Sequence, residues 1–210
     1  MLTVHHLGIS QSERIVWLCE ELSIPYQLVR YERDPVTRLA PPEYKALHPF
    51  GTAPVITDGN VVLAESGAVI EYIIARYGNG RLTVRPDAPN YADYLFWFHF
   101  ANGSMMPVQF AGAIKPSPDE TPRTRISRER CERTWKMVEA RLGEAPYFAG
   151  PDFTAADIIM LFPLTTMRAF VPRDISGNPN VLAYLQRIGA RPAYREAMQK
   201  GDPQMAPLLR

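Results

Sequence analysis

The stretch His48-Pro49-Phe50-Gly51-Thr52-Ala53-Pro54-Val55-Ile56, followed by Glu65-Ser66-Gly67-Ala68, decides the reading of this 210-residue chain. Asp58-Gly59 lies between the β-forming runs Val55-Ile56-Thr57 and Val61-Val62-Leu63, and Asp-Gly in that setting predicts a β-hairpin. The hairpin puts Pro54 and the Glu65-Ser66 pair on one small sheet. A cis X-Pro bond there would turn the N–H and C=O of Val55 outward, where an extended peptide can pair as an added strand. Ala68, Val69, Tyr72, Ile73 and Tyr77 then recur at helical spacing before Gly78-Asn79-Gly80, so a helix follows with Ser66 as its cap. Its N-terminus suits a carboxylate, through unpaired N–H groups and the helix dipole. Glu65 beside such a site calls for a ligand that also carries an ammonium group, as an amino acid does.

Upstream, Leu2-Thr3-Val4-His5-His6-Leu7 reads as a strand, 12–22 as a helix with Ile15, Leu18, Cys19 and Leu22 on one face, and Tyr26-Gln27-Leu28-Val29 as a second strand. Strand, helix and strand in that order predict a right-handed crossover and a parallel pair. His5 and His6 are read as strand residues, not ligand contacts. After an irregular helical stretch at 42–47 come the hairpin and the Ser66 helix, which completes β-α-β-α-β-β-α. Beyond Gly78 the strand-like runs stop. Residues 81–89 form a linker, 91–100 a long aromatic helix that continues past Pro107 with a kink, and a second long helix begins near Asp119 or Arg125 and runs to Leu142. Lys115-Pro116-Ser117-Pro118 makes the loop between them. Phe153-Thr154-Ala155-Ala156-Asp157-Ile158 places Thr154 and Asp157 as a capping box, with Phe153 and Ile158 as its hydrophobic staple, at the head of a helix over 155–170. Two shorter helices follow at 180–188 and 192–200, and the tail from Gly201 is irregular.

Composition narrows the function. Lys+Arg 23 against Asp+Glu 22 leaves a net charge of +1, so no global field favours nucleic acid or anionic lipid. The densest basic run, 123–133, is broken by Glu129 and Glu132 and reads as a solvated helix face. The start lacks a basic n-region followed by an apolar run, and no later stretch has the roughly 18 uninterrupted apolar residues of a membrane span. Cys19 and Cys131 are far apart and in helical patterns, which fits a reducing compartment. These features predict a cytoplasmic protein with neither a nucleic-acid nor a membrane partner, and no metal site.

The cis-proline segment, the Glu-Ser pair, the element order and the Thr-x-x-Asp box together resemble the cytosolic glutathione transferases over nearly the whole chain. The resemblance implies an α/β plus all-α architecture: a thioredoxin-like glutathione-binding domain over 1–80 and an all-helical domain over 89–210. It implies glutathione as co-substrate, with Val55 pairing with the cysteinyl backbone and Glu65 and Ser66 holding the γ-glutamyl end. In the family, a Tyr, Ser or Cys after the first strand serves the sulfur. This chain has Gly8-Ile9-Ser10-Gln11-Ser12-Glu13-Arg14 there, which implies a Ser-type enzyme and excludes the mixed-disulfide chemistry of the Cys-type. Ser10, four residues before Arg14, is the expected thiolate stabiliser. Ser12 competes, but its place at the helix start suits a cap. A free cysteine thiol has a pKa near 8.5, and lowering it by one unit takes about 1.4 kcal/mol, within reach of one hydroxyl. Many relatives hold the glycine carboxylate with Lys, Gln or His two residues before the cis-proline. Here that residue is Thr52, a weaker anchor, and Lys45, His48 and Arg38 are possible substitutes. The second ligand implied is a small hydrophobic electrophile, in a pocket between the domains lined by Asn102-Gly103-Ser104-Met105-Met106 and Phe110. The expected role is detoxification by a homodimer, with Tyr72 and Arg76 in the contact. A glutathione-dependent isomerase, a peroxidase or a non-catalytic binding relative would share the same glutathione site.

Overall fold

The computed structural model describes residues 1–112 and 121–210; the loop expected at Lys115-Pro116-Ser117-Pro118 lies outside them, as does Asp119. Strands β1 (Leu2–Leu7), β2 (Gln27–Tyr31), β3 (Val55–Asp58) and β4 (Val61–Ala64) form a sheet ordered β2-β1-β3-β4. β1 pairs parallel with β2 and antiparallel with β3, and β3 and β4 form the expected hairpin. The turn is Gly59-Asn60, with Gly59 at φ +59°, and Asp58 closes the strand opposite Val61. Helix α1 (Glu13–Leu22) makes the crossover, with Ile15, Leu18, Cys19 and Leu22 buried; each such aliphatic side chain contributes roughly 1.5–3 kcal/mol. A short α2 (Pro42–Lys45) follows, and α3 (Ser66–Ile73) runs into a π turn, Ile74–Gly78, that stops at left-handed Asn79.

The core face of α3 is Val69, Ile70 and Ile73, not the Tyr72–Tyr77 side of the predicted pattern. Those two hydroxyls donate to Asp58, which also pairs with Arg76 at 3.2 Å and the N-terminal ammonium at 3.6 Å. The Tyr77 and Tyr72 hydroxyls, with Arg76 and the ammonium, hold the Asp58 carboxyl below the usual carboxylate range. A depressed carboxylate pKa contributes stability that is present above the unfolded value, near 3.9, and is lost as pH falls through the folded one. Asp58→Asn is therefore expected to lower stability at pH 7 and to lower it by less at pH 2. Urea midpoints at the two pH values check this, and an equal gap at both would contradict it.

The remaining helices are α4 (Tyr91–Phe100), α5 (Met106–Gly112), α6 (Pro122–Glu144), α7 (Ala155–Leu164), α8 (Pro179–Gly189) and α9 (Pro192–Gly201). A π turn, Ala101–Met105, links α4 to α5 just before Pro107, which is how a helix accommodates a residue without an N–H. Helix α7 ends at Leu164, short of the expected 170, where a 3-10 turn Thr166–Ala169 takes over. Its capping box is present: Thr154 Oγ1 accepts from Ala156 N–H at 3.3 Å and Asp157 accepts from Thr154 N–H at 2.9 Å. Asp157 also accepts from Phe148 N–H at 3.0 Å and is fully enclosed. The basic half of α6 is largely exposed, and both cysteines are free and buried.

The chain divides into two compact units, Met1–Thr83 with Gly189–Pro207, and Val84–Ile188 with Leu208–Arg210. The helix expected to close an all-helical second domain therefore belongs with the first unit. Its apolar face of Tyr194, Ala197 and Met198 packs on α1, Tyr194 edge-on to Trp17 at 5.2 Å. Arg191 makes a forked pair with Glu21 at 2.6 and 2.8 Å, and Lys200 reaches Glu20 at 2.9 Å. Among the described residues no helix is long and apolar enough to cross a membrane.

Candidate functional site

The connection from β1 to α1 folds back on the strand it leaves. Ser12 occupies the cap position in a helical backbone conformation, but its side chain caps nothing. Its Oγ is 2.9 Å from His6 Nδ1, accepts from Leu7 N–H at 3.1 Å, and lies 3.3 Å from Leu7 C=O. The start of α1 is instead closed by backbone bonds, Glu13 N–H to Ser10 C=O at 3.1 Å and Ile15 N–H to Ser12 C=O at 3.0 Å. Ser10 Oγ lies 2.7 Å from Ser12 Oγ and accepts from Ser12 N–H at 3.2 Å. Ser12 is wholly enclosed and Ser10, 4% exposed, is nearly so.

The second cluster forms where α1 and α3 begin. Ser66 is the first residue of α3, and Glu65 holds the cap position at φ +75°, a backbone that costs a non-glycine residue roughly 1–3 kcal/mol and concentrates at ligand sites. The first intrahelical bond runs from Val69 N–H to Glu65 C=O at 2.9 Å, so the N–H groups of Ser66, Gly67 and Ala68 point out of the helix start. Ser66 does not cap; its Oγ accepts from Arg14 Nη1 at 3.2 Å and donates to Gln11 Oε1 at 3.3 Å. Arg14 Nη1 also donates to Gln11 Oε1 at 2.6 Å. Arg14 is 1% exposed, and burial pushes its guanidinium down to about 9, still charged at neutral pH, while Glu13 and Glu65 act in the other direction. Sequence spacing relates Arg14 only to Ser10, four residues before it. An arginine on the apolar turn of α1 was the signal for this link, which also brings in Gln11.

The Ala53–Pro54 bond is cis. Val55 nevertheless differs from expectation: it is buried, in register with His5 of β1 on one side and Ala64 of β4 on the other. A residue between two paired strands has no free edge for a third, so the position outside the ladder at this end of β3 is Ala53. Thr52 is exposed beside it, Lys45 is exposed on α2, and His48 accepts from Phe50 N–H through Nδ1 at 3.2 Å. Arg38 lines a cavity of about 260 Å³ with Gly8, Ile9, Arg33, Asp202 and Gln204. In the helical unit Met106 packs with Phe162 and Met167, Met105 is fully buried, and Phe110 is 54% exposed. Among the described residues no cluster of three or more His, Cys, Asp or Glu side chains is placed to hold a metal ion.

A parallel βαβ unit joined through a cis-proline to a ββα unit, with an all-helical unit after it, defines a thioredoxin-like domain carrying a helical partner domain. The profile described as "Glutathione S-transferase, N-terminal domain" matches residues 10–76, and "Glutathione S-transferase, C-terminal domain" matches 99–187. Glutathione S-transferase 3 of Schizosaccharomyces pombe is 32% identical over 95% of this chain and 88% of its own length. A glutathione S-transferase crystal structure from Actinobacillus pleuropneumoniae superposes with a TM-score of 0.87 at 32% identity, covering 100% of this chain and 99% of that one. A glutathione transferase homologue from Sulfitobacter, solved with bound glutathione, gives 0.75 at 25% identity, covering 96% and 98%. The chain belongs to the glutathione S-transferase family, enzymes whose co-substrate is glutathione.

Proposed function

We propose that the chain is a Ser-type transferase that adds the glutathione thiolate to small hydrophobic electrophiles, with Ser10 donating to the sulfur. The observation that carries this reading is the pair of serines after β1, in which Ser12 is wholly enclosed and engaged by His6 and Leu7 while Ser10 sits at the end of the bonded row. Support for the γ-glutamyl end comes from the outward N–H groups at the start of α3, next to the Ser66–Arg14–Gln11 link and the Glu65 carboxylate. The backbone contact with the cysteinyl residue falls to Ala53, because Val55 is held between β1 and β4. Thr52, exposed beside it, meets the glycine end. A cytoplasmic homodimer acting in detoxification, as in the family at large, completes the proposal.

Ser10→Ala is expected to raise the pKa of bound glutathione by about one unit, the equivalent of about 1.4 kcal/mol and a tenfold loss of thiolate at neutral pH. Difference absorbance of the thiolate against pH measures it; an unshifted curve would overturn the role of Ser10. Calorimetric titration should show Ser66→Ala binding glutathione roughly tenfold more weakly, the size of one hydrogen bond to a charged group. No heat from the parent at millimolar glutathione would sink the whole reading.

A further inference from the structure

We propose that His6 is the acceptor of the glutathione proton, reached through Ser12 and Ser10 and held in place by Asp202. This rests on the reading that Ser10 faces the sulfur. The atoms form one continuous chain: Asp202 Oδ2 to His6 Nε2 at 3.1 Å, His6 Nδ1 to Ser12 Oγ at 2.9 Å, and Ser12 Oγ to Ser10 Oγ at 2.7 Å. His6 is completely buried and Asp202 nearly so. The other Asp202 oxygen accepts from Ile9 N–H at 2.9 Å, so the same carboxylate fixes the loop that carries Ser10. The approach is close: a Cβ on Gly201 would stand 3.2 Å from His6 Nε2. The charged groups around this end are Asp202 itself, Arg30 on β2, Arg33, and Glu32, whose Oε2 faces Gly8 as Asp202 Oδ1 does. Burial works against the ionised form of Asp202, but His6, Ile9 N–H and Arg30 hold its carboxyl below the usual range.

Hydrogen counting gives the chain two directions. With an ionised Asp202, neutral His6 carries its proton on Nε2 and leaves Nδ1 as an acceptor. Nδ1 at 2.9 Å and the Leu7 carbonyl at 3.3 Å both face the Ser12 hydroxyl, the shorter contact being to Nδ1; with the Ser12 proton on that side, the 2.7 Å contact has Ser10 donating inward to Ser12. In that state Ser10 can only accept from an incoming thiol. Moving one proton along each bond reverses every donor. The S–H bond breaks as Ser10 gains that proton, Ser10 passes its own to Ser12, Ser12 passes its own to His6, and Nδ1–H forms. The sulfur keeps the electron pair and now accepts from Ser10, while the imidazolium sits against Asp202. No electrons are exchanged and no other reactant is needed. His6, Ser12 and Asp202 act through Ser10 and are positioning and proton-holding residues.

The test is histidine ring-nitrogen NMR on the full chain, saturated at neutral pH with glutathione or with S-methylglutathione, which has no thiol proton. His6 should carry protons on both ring nitrogens with glutathione and on Nε2 alone with S-methylglutathione. Ser12→Ala should abolish that difference and Ser12→Thr, which keeps a hydroxyl, should preserve it. Asp202→Asn offers a second route that leaves the serines intact: its amide donates to Nε2, places the ring proton on Nδ1, and should remove the uptake while raising the bound-thiol pKa by about one unit. If His6 responds identically to both ligands while Ser10→Ala still shifts the thiol, the relay is wrong and the Ser10 reading stands. If Ser10→Ala leaves the thiol unshifted, the Ser10 reading itself fails.

Discussion

Asp157→Ala is expected to destabilise the chain by about 4 kcal/mol. The carboxylate accepts from Phe148 N–H and Thr154 N–H, both buried, and each orphaned donor costs roughly 1–3 kcal/mol on top of about 1 for the lost cap. In a chain of this size that corresponds to a fall in melting temperature of about 12 °C. The effect carries a pH signature. Burial raises the Asp157 carboxyl to about 6 against the pull of its hydrogen bonds, so between about pH 4 and 6 the native state binds more protons than the unfolded one. The parent therefore loses stability as pH rises through that window, and the alanine variant does not. The gap between them should be wider at pH 4 than at pH 7. Urea unfolding at both values measures it, and a gap that widens with pH would refute the assignment.

Arg14→Leu is expected to weaken glutathione binding by about 100-fold, more than Ser66→Ala. The guanidinium donates to both Gln11 and Ser66, and two hydrogen bonds to a charged group at roughly 1.5–3 kcal/mol each comfortably cover the 2.7 kcal/mol of that ratio. Removing it untethers the head of α1 from the head of α3. Both bonds leave the single nitrogen Nη1, and a lysine ammonium also carries more than one N–H, so Arg14→Lys should recover part of the binding. Calorimetry with glutathione, on variants checked for native circular dichroism, decides this; an unchanged dissociation constant in Arg14→Leu would show that the link is structural only.

The parts legible in the sequence were those written at short range. Asp58-Gly59 between β-formers located the hairpin, Thr154-x-x-Asp157 located the head of α7, and both are matters of spacing within a few residues. What escaped were bonds between distant positions. Ser66 looked like a cap because serine before a helix usually is one, and Arg14, 52 residues earlier, had no local reason to claim its hydroxyl. Ser12 failed as a cap for a similar reason: the end of β1 presents Leu7 and the His6 ring to it. His6 and Asp202 are 196 residues apart, and nothing in either neighbourhood announces the other. The double pairing of Val55 escaped as well, since alternation along a strand does not say which end residue the neighbouring strands take.

The placement of α9 and Asp202 in the first unit sets a timetable for biosynthesis. Domains generally fold as units, N-terminal first, while synthesis proceeds at about 5–20 residues per second. Here the thioredoxin-like sheet and α1 emerge early, but Trp17 has no Tyr194 and His6 has no Asp202 until the last tenth of the chain is made. The growing protein must wait roughly 5–25 s with its first unit unfinished while the helical unit is being made. A chain interrupted at 188 would carry every strand of the sheet and both serines, yet lack the acid that orients the histidine behind them.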